Sequence, residues 1–259
     1  MHNFLPDLAQ IQQQRPIIHN ISNYVAMEFN ANALLAINAS PIMAHAEAEL
    51  VELLNLANAL VINIGTLDTS WISAMHTALN ATNNFPKIPI ILDPVGAGAS
   101  SLRTKTALDL LASEKISVLR GNAAEILALA GSEIKSHGID SIYQTDSAIS
   151  AAKKLAKKFK CTVVVSGAND IIANTLTTTT IEGGHPIMTQ VTGMGCTASC
   201  LIGAFCAVNN NHFSATTHAM TLMKRTAEKA LKTTCRPGTF KITFIDELFN
   251  YAEQANATT

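Results

Sequence analysis

The chain has 259 residues, with 18 Lys and Arg against 19 Asp and Glu. The formal net charge of −1 leaves no basic excess for a nucleic-acid or anionic-membrane surface. Charged residues make up only 14 % and hydrophobic residues 48 %, where about 25 % charged is usual, so surface must be hidden in a large core or against copies of the same chain, and a homo-oligomer is expected.

In chain order, short β-branched apolar runs fall at residues 16–19, 60–64, 88–92, 117–119 and 161–166. They are almost continuously apolar, as strands buried on both faces are, which predicts a parallel sheet covered by helices. Ala- and Leu-rich stretches predict helices at 24–37, 46–57, 71–81, 105–111, 123–130, 146–159, 197–208 and 213–231. The alternation predicts an α/β fold, a single three-layer α/β/α domain over residues 1–259 with a mainly parallel central sheet. The stretch DIIANTLTTTTI at 170–181 is too rich in Thr and Ile for a helix and predicts two short antiparallel strands at one edge, turning near Asn174. Thr239 can cap a last helix that gathers Phe240, Phe244, Ile245 and Leu248 on one face, and residues 255–259 are expected to fray.

No run approaches the ~18 apolar residues of a membrane span. The start MHNFLPDLAQ has neither the basic nor the apolar region of a secretory signal. Five cysteines form an odd set with no CxxC pair, so neither a disulfide framework nor a zinc ribbon is expected, and the cytoplasm fits best.

Ligands of open parallel sheets bind beyond the carboxyl ends of the strands. Polar and glycine residues gather there: His19 to Asn23, Gly65-Thr66, Asp93 to Gly98, Arg120 to Glu125 and Ser166-Gly167. Turn chemistry alone accounts for part of this pattern. The segment VTGMGC at 191–196 precedes a helix and reads either as an ordinary tight turn or as a loop whose N–H groups cradle a phosphate. It is neither a Walker A loop nor GxGxxG. Cys196 in the first helical turn reads as a thiol with a lowered pKa or as a small buried hydrophobe; Cys200 and Cys206 read as packing residues. Asp93 and Glu125 can hold Mg²⁺ together with phosphate oxygens, or serve as turn and first-turn carboxylates. Arg120 is a phosphate partner or a surface residue.

The segments HNISNYV (19–25), ASPIMAH (39–45), NIGTL (63–67), LDPVGAG (92–98), RGNAAEIL (120–127) and GHP (184–186), leading into VTGMGC (191–196), together resemble the hydroxyethylthiazole kinases of thiamine salvage, in the ribokinase-like superfamily. The cysteine is the most telling, because related sugar and pyrimidine kinases usually carry Asp there. The resemblance implies a Mg²⁺-dependent transfer of the γ-phosphoryl of ATP to the primary alcohol of 4-methyl-5-(2-hydroxyethyl)thiazole. It implies that Met43 and Gly193 contact the thiazole, with Asn23 nearby, and that Arg120 and Ser166 contact ATP. Asp93 and Glu125 would belong to the metal and phosphate environment, and Cys196 would face the accepting hydroxyl, orienting it and taking its proton. It also implies a homotrimer with sites at subunit interfaces. Ser166 stands where Thr is common, and Met194 where a smaller residue is often found; both bear on nucleotide affinity. Three other readings compete: a related kinase of hydroxymethylpyrimidine or a sugar, a cysteine hydrolase using Cys196, and a nucleotide-binding module without turnover.

Overall fold

A computed structural model describes residues 2–84, 88–132 and 141–257. The strands are β1 (Ile17–Ile21), β2 (Ser40–Met43), β3 (Ala59–Asn63), β4 (Ile90–Asp93), β5 (Val118–Asn122), β6 (Thr162–Ser166), β7 (Asp170–Ala173) and β8 (Thr178–Ile181). The helices are α1 (Leu5–Gln14), α2 (Met27–Ala36), α3 (Glu47–Leu56), α4 (Thr69–Ala81), α5 (Ser101–Leu111), α6 (Ala123–Leu129), α7 (Ser141–Phe159), α8 (Met194–Val208), α9 (His212–Ala230) and α10 (Pro237–Ala257).

The strands form one sheet in the order β2-β1-β3-β4-β5-β6-β7-β8. The first six are mutually parallel; β7 and β8 add on in antiparallel fashion, as the Thr-rich run predicted. Each central strand feeds both cores: Val61 and Ile91 pack with α1, α2, α8, α9 and α10, while Leu60, Ile62 and Leu92 pack with α3 to α7. That two-sided burial explains why these strands carry no polar alternation. Among the described residues, no helix is long and apolar enough to cross a membrane.

Helix α8 has mostly buried residues and lies against β1, β3 and β4. Gly203 permits the approach: a Cβ there would sit 2.9 Å from Val61 Cγ2. The helix is thereby pressed against the strands whose ends build the site.

Several expectations needed correction. Helix α1 was not foreseen, because IQQQ supplies no apolar stripe beyond Leu8 and Ile11. Strand β2 was not foreseen either, because SPIM carries a proline; as an outermost strand it tolerates the missing donor. Strands β1 and β5 run past their expected ends to Ile21 and Asn122, so Asn20 and Arg120 are strand residues, not loop residues. Helix α10 begins at Pro237, and Phe240 N–H already bonds Arg236 O at 2.8 Å, so Thr239 lies inside the first turn and does not cap it. The same helix continues through Ala257, where fraying was expected; residues 258–259 lie outside the described residues.

Candidate functional site

Five side chains from five adjacent strands join in a line across the carboxyl rim of the sheet. Asn23, just past β1, donates through Nδ2 to Asn63 Oδ1 at the end of β3 (2.8 Å). Asn63 Nδ2 donates to Asp93 Oδ2 at the end of β4 (3.1 Å). Asp93 Oδ2 stands 3.6 Å from Arg120 Nη1 on β5. Arg120 Nη2 donates to Ser166 Oγ at the end of β6 (2.6 Å). Backbone groups set the orientation of both amides. Asn23 Oδ1 accepts from the N–H groups of Val25 and Ala26, each at 3.1 Å, and Asn63 Oδ1 accepts from Gly65 N–H at 2.9 Å.

Helix α8 caps this line. Gly193 precedes it with φ of 93°, a conformation side chains rarely adopt, and a Cβ there would meet Phe29 Cδ1 at 3.3 Å. The first-turn N–H groups of such a helix lack intrahelical partners. Cys196 Sγ accepts from Asn23 Nδ2 at 3.3 Å, and Ser199 Oγ donates to Asp93 Oδ2 at 2.7 Å. Gly195 lies against the guanidinium of Arg120.

Burial pushes the Asp93 carboxyl up to about 6, against the lowering pull of Arg120 and Ser199. Burial, and next the charge of Asp93, push the Cys196 thiol up to about 11. This corrects the expectation of a lowered thiol pKa: desolvation and a neighbouring carboxylate outweigh the helix N-terminus. At pH 7 a group of that pKa is thiolate in about one molecule in ten thousand. Iodoacetamide is accordingly expected to alkylate the exposed Cys235 first, with Cys196 reacting slowly and its rate still climbing with pH above 9. Peptide mass mapping across a pH series checks this, and rapid labelling of Cys196 at pH 7 would favour the hydrolase reading instead.

Glu125 is engaged at both oxygens. Oε1 accepts from Gly96 N–H and Oε2 from Asn122 N–H, each at 2.8 Å, while Asn122 Oδ1 returns a bond from Glu125 N–H at 3.0 Å. The residue thus closes a capping box at α6 and fastens the loop after β4 to the end of β5. Asp93 Oδ1, in contrast, is buried without a partner among the described residues. No group of three or more His, Cys, Asp or Glu side chains among those residues could by itself hold a metal.

A cavity of about 650 Å³ opens beside the line, within the usual range of small-molecule sites. Arg120, Ser166 and Gly195 line it, together with Asp170, Met194 and Lys224. Met43 and Gly193 are not among its lining residues. Met43 ends β2, half-buried against the α8 core, and Gly193 stands before α8. The structure therefore brings Asp93, Arg120, Ser166 and Cys196 into one network, fastens Glu125 at its border, and keeps Met43 apart from the cavity.

Sequence reasoning did not single out Ser199, Arg103 or Lys224. Ser199 follows Cys196 by three positions on one helix face, which is a usable signal. Arg103 Nη1 donates to Ile64 O (3.1 Å) and Val95 O (2.6 Å), and its Nη2 to Gly65 O (2.8 Å), stapling the loops after β3 and β4. Nothing local in the sequence announces that contact.

The family model described as hydroxyethylthiazole kinase family matches residues 8–254. A hydroxyethylthiazole kinase of Oleidesulfovibrio alaskensis is 48 % identical over 249 residues, covering 96 % of this chain and 93 % of that protein. The solved structure of a hydroxyethylthiazole kinase protein from Pyrococcus horikoshii OT3 is 40 % identical with a TM-score of 0.90, covering 100 % of this chain and 97 % of that one. A ribokinase-like superfamily protein of Enterococcus faecalis shares the fold at 16 % identity and a TM-score of 0.64, over 95 % of this chain and 94 % of that one.

Proposed function

Because the chain belongs to the hydroxyethylthiazole kinase family, we propose that it acts as a single kinase domain over residues 1–259, transferring the γ-phosphoryl group of ATP to the primary alcohol of 4-methyl-5-(2-hydroxyethyl)thiazole. The observation that carries this reading is the hydrogen-bonded and charge-paired line from Asn23 to Ser166, set under the first turn of α8 and beside a cavity of about 650 Å³.

Phosphoryl transfer passes through a loose transition state, so positioning and charge stabilisation carry most of the rate. Arg120 and Ser166 would bind the nucleotide from the cavity wall. The unpaired N–H groups of the α8 first turn would receive charge building on the phosphoryl oxygens. Met43 and Gly193 would hold the thiazole ring. Cys196, protonated at neutral pH, would orient the alcohol O–H without removing its proton; in a loose transition state that proton leaves late, to an oxygen of the phosphoryl group being transferred. This keeps the orienting part of the role first expected of Cys196 and drops the proton-accepting part.

The residues present fit Mg²⁺: the unpartnered Asp93 Oδ1 is a hard oxygen donor, and Mg²⁺ takes one or two carboxylates with phosphate oxygens. Glu125 would reach the ion through water, since backbone amides already hold both its oxygens. When bound, the ion would neutralise phosphate charge. Tyr24 and Val25, next to Asn23, are 66 % and 67 % exposed, which supports sites completed by another copy in a homotrimer. A cytoplasmic location agrees with five free cysteines.

The test is a coupled ADP-release assay with ATP, Mg²⁺ and the thiazole alcohol. Turnover is expected with the thiazole and not with hydroxymethylpyrimidine. ADP release with the pyrimidine alone, or with neither alcohol, would overturn the assignment.

A further inference from the structure

Lys224 and Asp170 are charged, buried and unused by the chemistry above. Lys224 lies mid-way along α9 at 5 % exposure, and Asp170 opens β7 at 2 %. Lys224 Nζ donates to Gly167 O and to Ala168 O, each at 2.8 Å, and stands 3.4 Å from Asp170 Oδ1. Asp170 Oδ1 in turn accepts from Gly167 N–H at 2.9 Å. The short turn between β6 and β7 is thus fixed at two carbonyls by a side chain from a distant element and at one amide by Asp170 at its own end.

The consequence follows from peptide planarity. In a trans peptide the C=O and the following N–H point in opposite directions. With the Gly167 and Ala168 carbonyls drawn to the ammonium, the N–H groups of Ala168 and Asn169 face away from it. Ser166, Gly167, Ala168, Asn169, Asp170 and Lys224 all line the cavity of about 650 Å³. Asp170 Oδ2 is buried without a partner among the described residues. The same helix also holds Gly184, another residue of the cavity lining. A Cβ at Gly184 would lie 2.7 Å from Lys224 Cδ, and Glu228, one turn further on, accepts from Gly184 N–H at 3.1 Å.

We propose that Lys224, paired with Asp170, is a positioning residue for ATP: it holds the 167–169 turn so that Ser166 Oγ and the Ala168 and Asn169 amides face the nucleotide. This rests on the reading of the cavity as the ATP site.

The test compares the wild type with Lys224→Arg and with the double variant Lys224→Met/Asp170→Asn, which leaves no lone buried charge. Calorimetry with a non-hydrolysable ATP analogue, KM for each substrate and melting temperature are read for all three. The double variant is expected to lose about ten-fold or more in affinity for the analogue and in KM for ATP, the worth of a charge-assisted hydrogen bond. KM for the thiazole alcohol is expected to hold, and Lys224→Arg to recover part of the nucleotide affinity. Unchanged analogue binding in a folded double variant, or equal losses for both substrates tracking a lowered melting temperature, overturns the proposal. If the double variant does not fold, Lys224→Arg and Asp170→Asn singly give the same readout: a selective loss for the nucleotide supports the role, and none refutes it. ADP release by the wild type with the thiazole alcohol tests the kinase reading separately, because analogue binding needs no acceptor.

Discussion

Gly195→Ala is expected to lower kcat/KM by about a hundred-fold while the protein stays folded. Gly195 has no positive φ, and in an α8 helical position alanine would be favoured by ~1 kcal/mol. On backbone grounds the change should be neutral or stabilising. Its Cβ, however, would lie 2.7 Å from Arg120 Nη1 and 3.1 Å from Nη2, far inside contact distance. The guanidinium has to move, and it sits between Asp93 and Ser166 in the line across the sheet rim. Steady-state kinetics beside a thermal melt checks this; wild-type kcat/KM in the variant would show that the position of Arg120 does not matter to turnover.

Arg120→Met should be the most damaging single change in the site. It strands Asp93, which is fully buried, and removing one partner of a buried pair costs about 3–5 kcal/mol. The sign of its pH dependence is fixed. The Asp93 carboxyl already titrates at about 6 beside Arg120, against an ordinary value of 3.8. Without the guanidinium it rises further, so the folded state holds a proton that the unfolded chain releases. Stability of the variant is then greatest at low pH and falls as pH rises through the elevated pKa. Urea denaturation at pH 5 and pH 8 should show the larger deficit at pH 8. Arg120→Met/Asp93→Asn should regain most of the stability and none of the activity, and the four-cornered cycle measures the coupling. A double variant as unstable as Arg120→Met alone would place the damage in lost packing of the arginine stem.

The parts of this molecule that were legible in its sequence are those governed by local pattern. Continuous apolar runs betrayed the central strands, and the polar groups following them marked the ligand edge, because two-sided burial and strand termination are both short-range properties. Strand β2 escaped because SPIM is shaped by its neighbour in the sheet, and nothing in its own four residues says so. The fate of Cys196 escaped for a related reason. A helix start can be read from glycines, whereas the desolvation and the Asp93 charge that raise the thiol come from residues far along the chain. Glu125 was found, but what holds its oxygens, Gly96 and Asn122, depends on how two loops meet. Lys224 stands beside Arg225 in a mixed stretch of α9 and carries no local mark; its partners on the β6–β7 turn only the fold supplies.

The two outermost strands, β2 and β8, are each four residues long, and β2 contains Pro41. So brief a border offers an incoming segment only a few open backbone groups, and proline deletes one of them. Any contact between copies of this protein would therefore run side chain to side chain, through helices and loops, and would not stitch their ladders into one continuous ribbon.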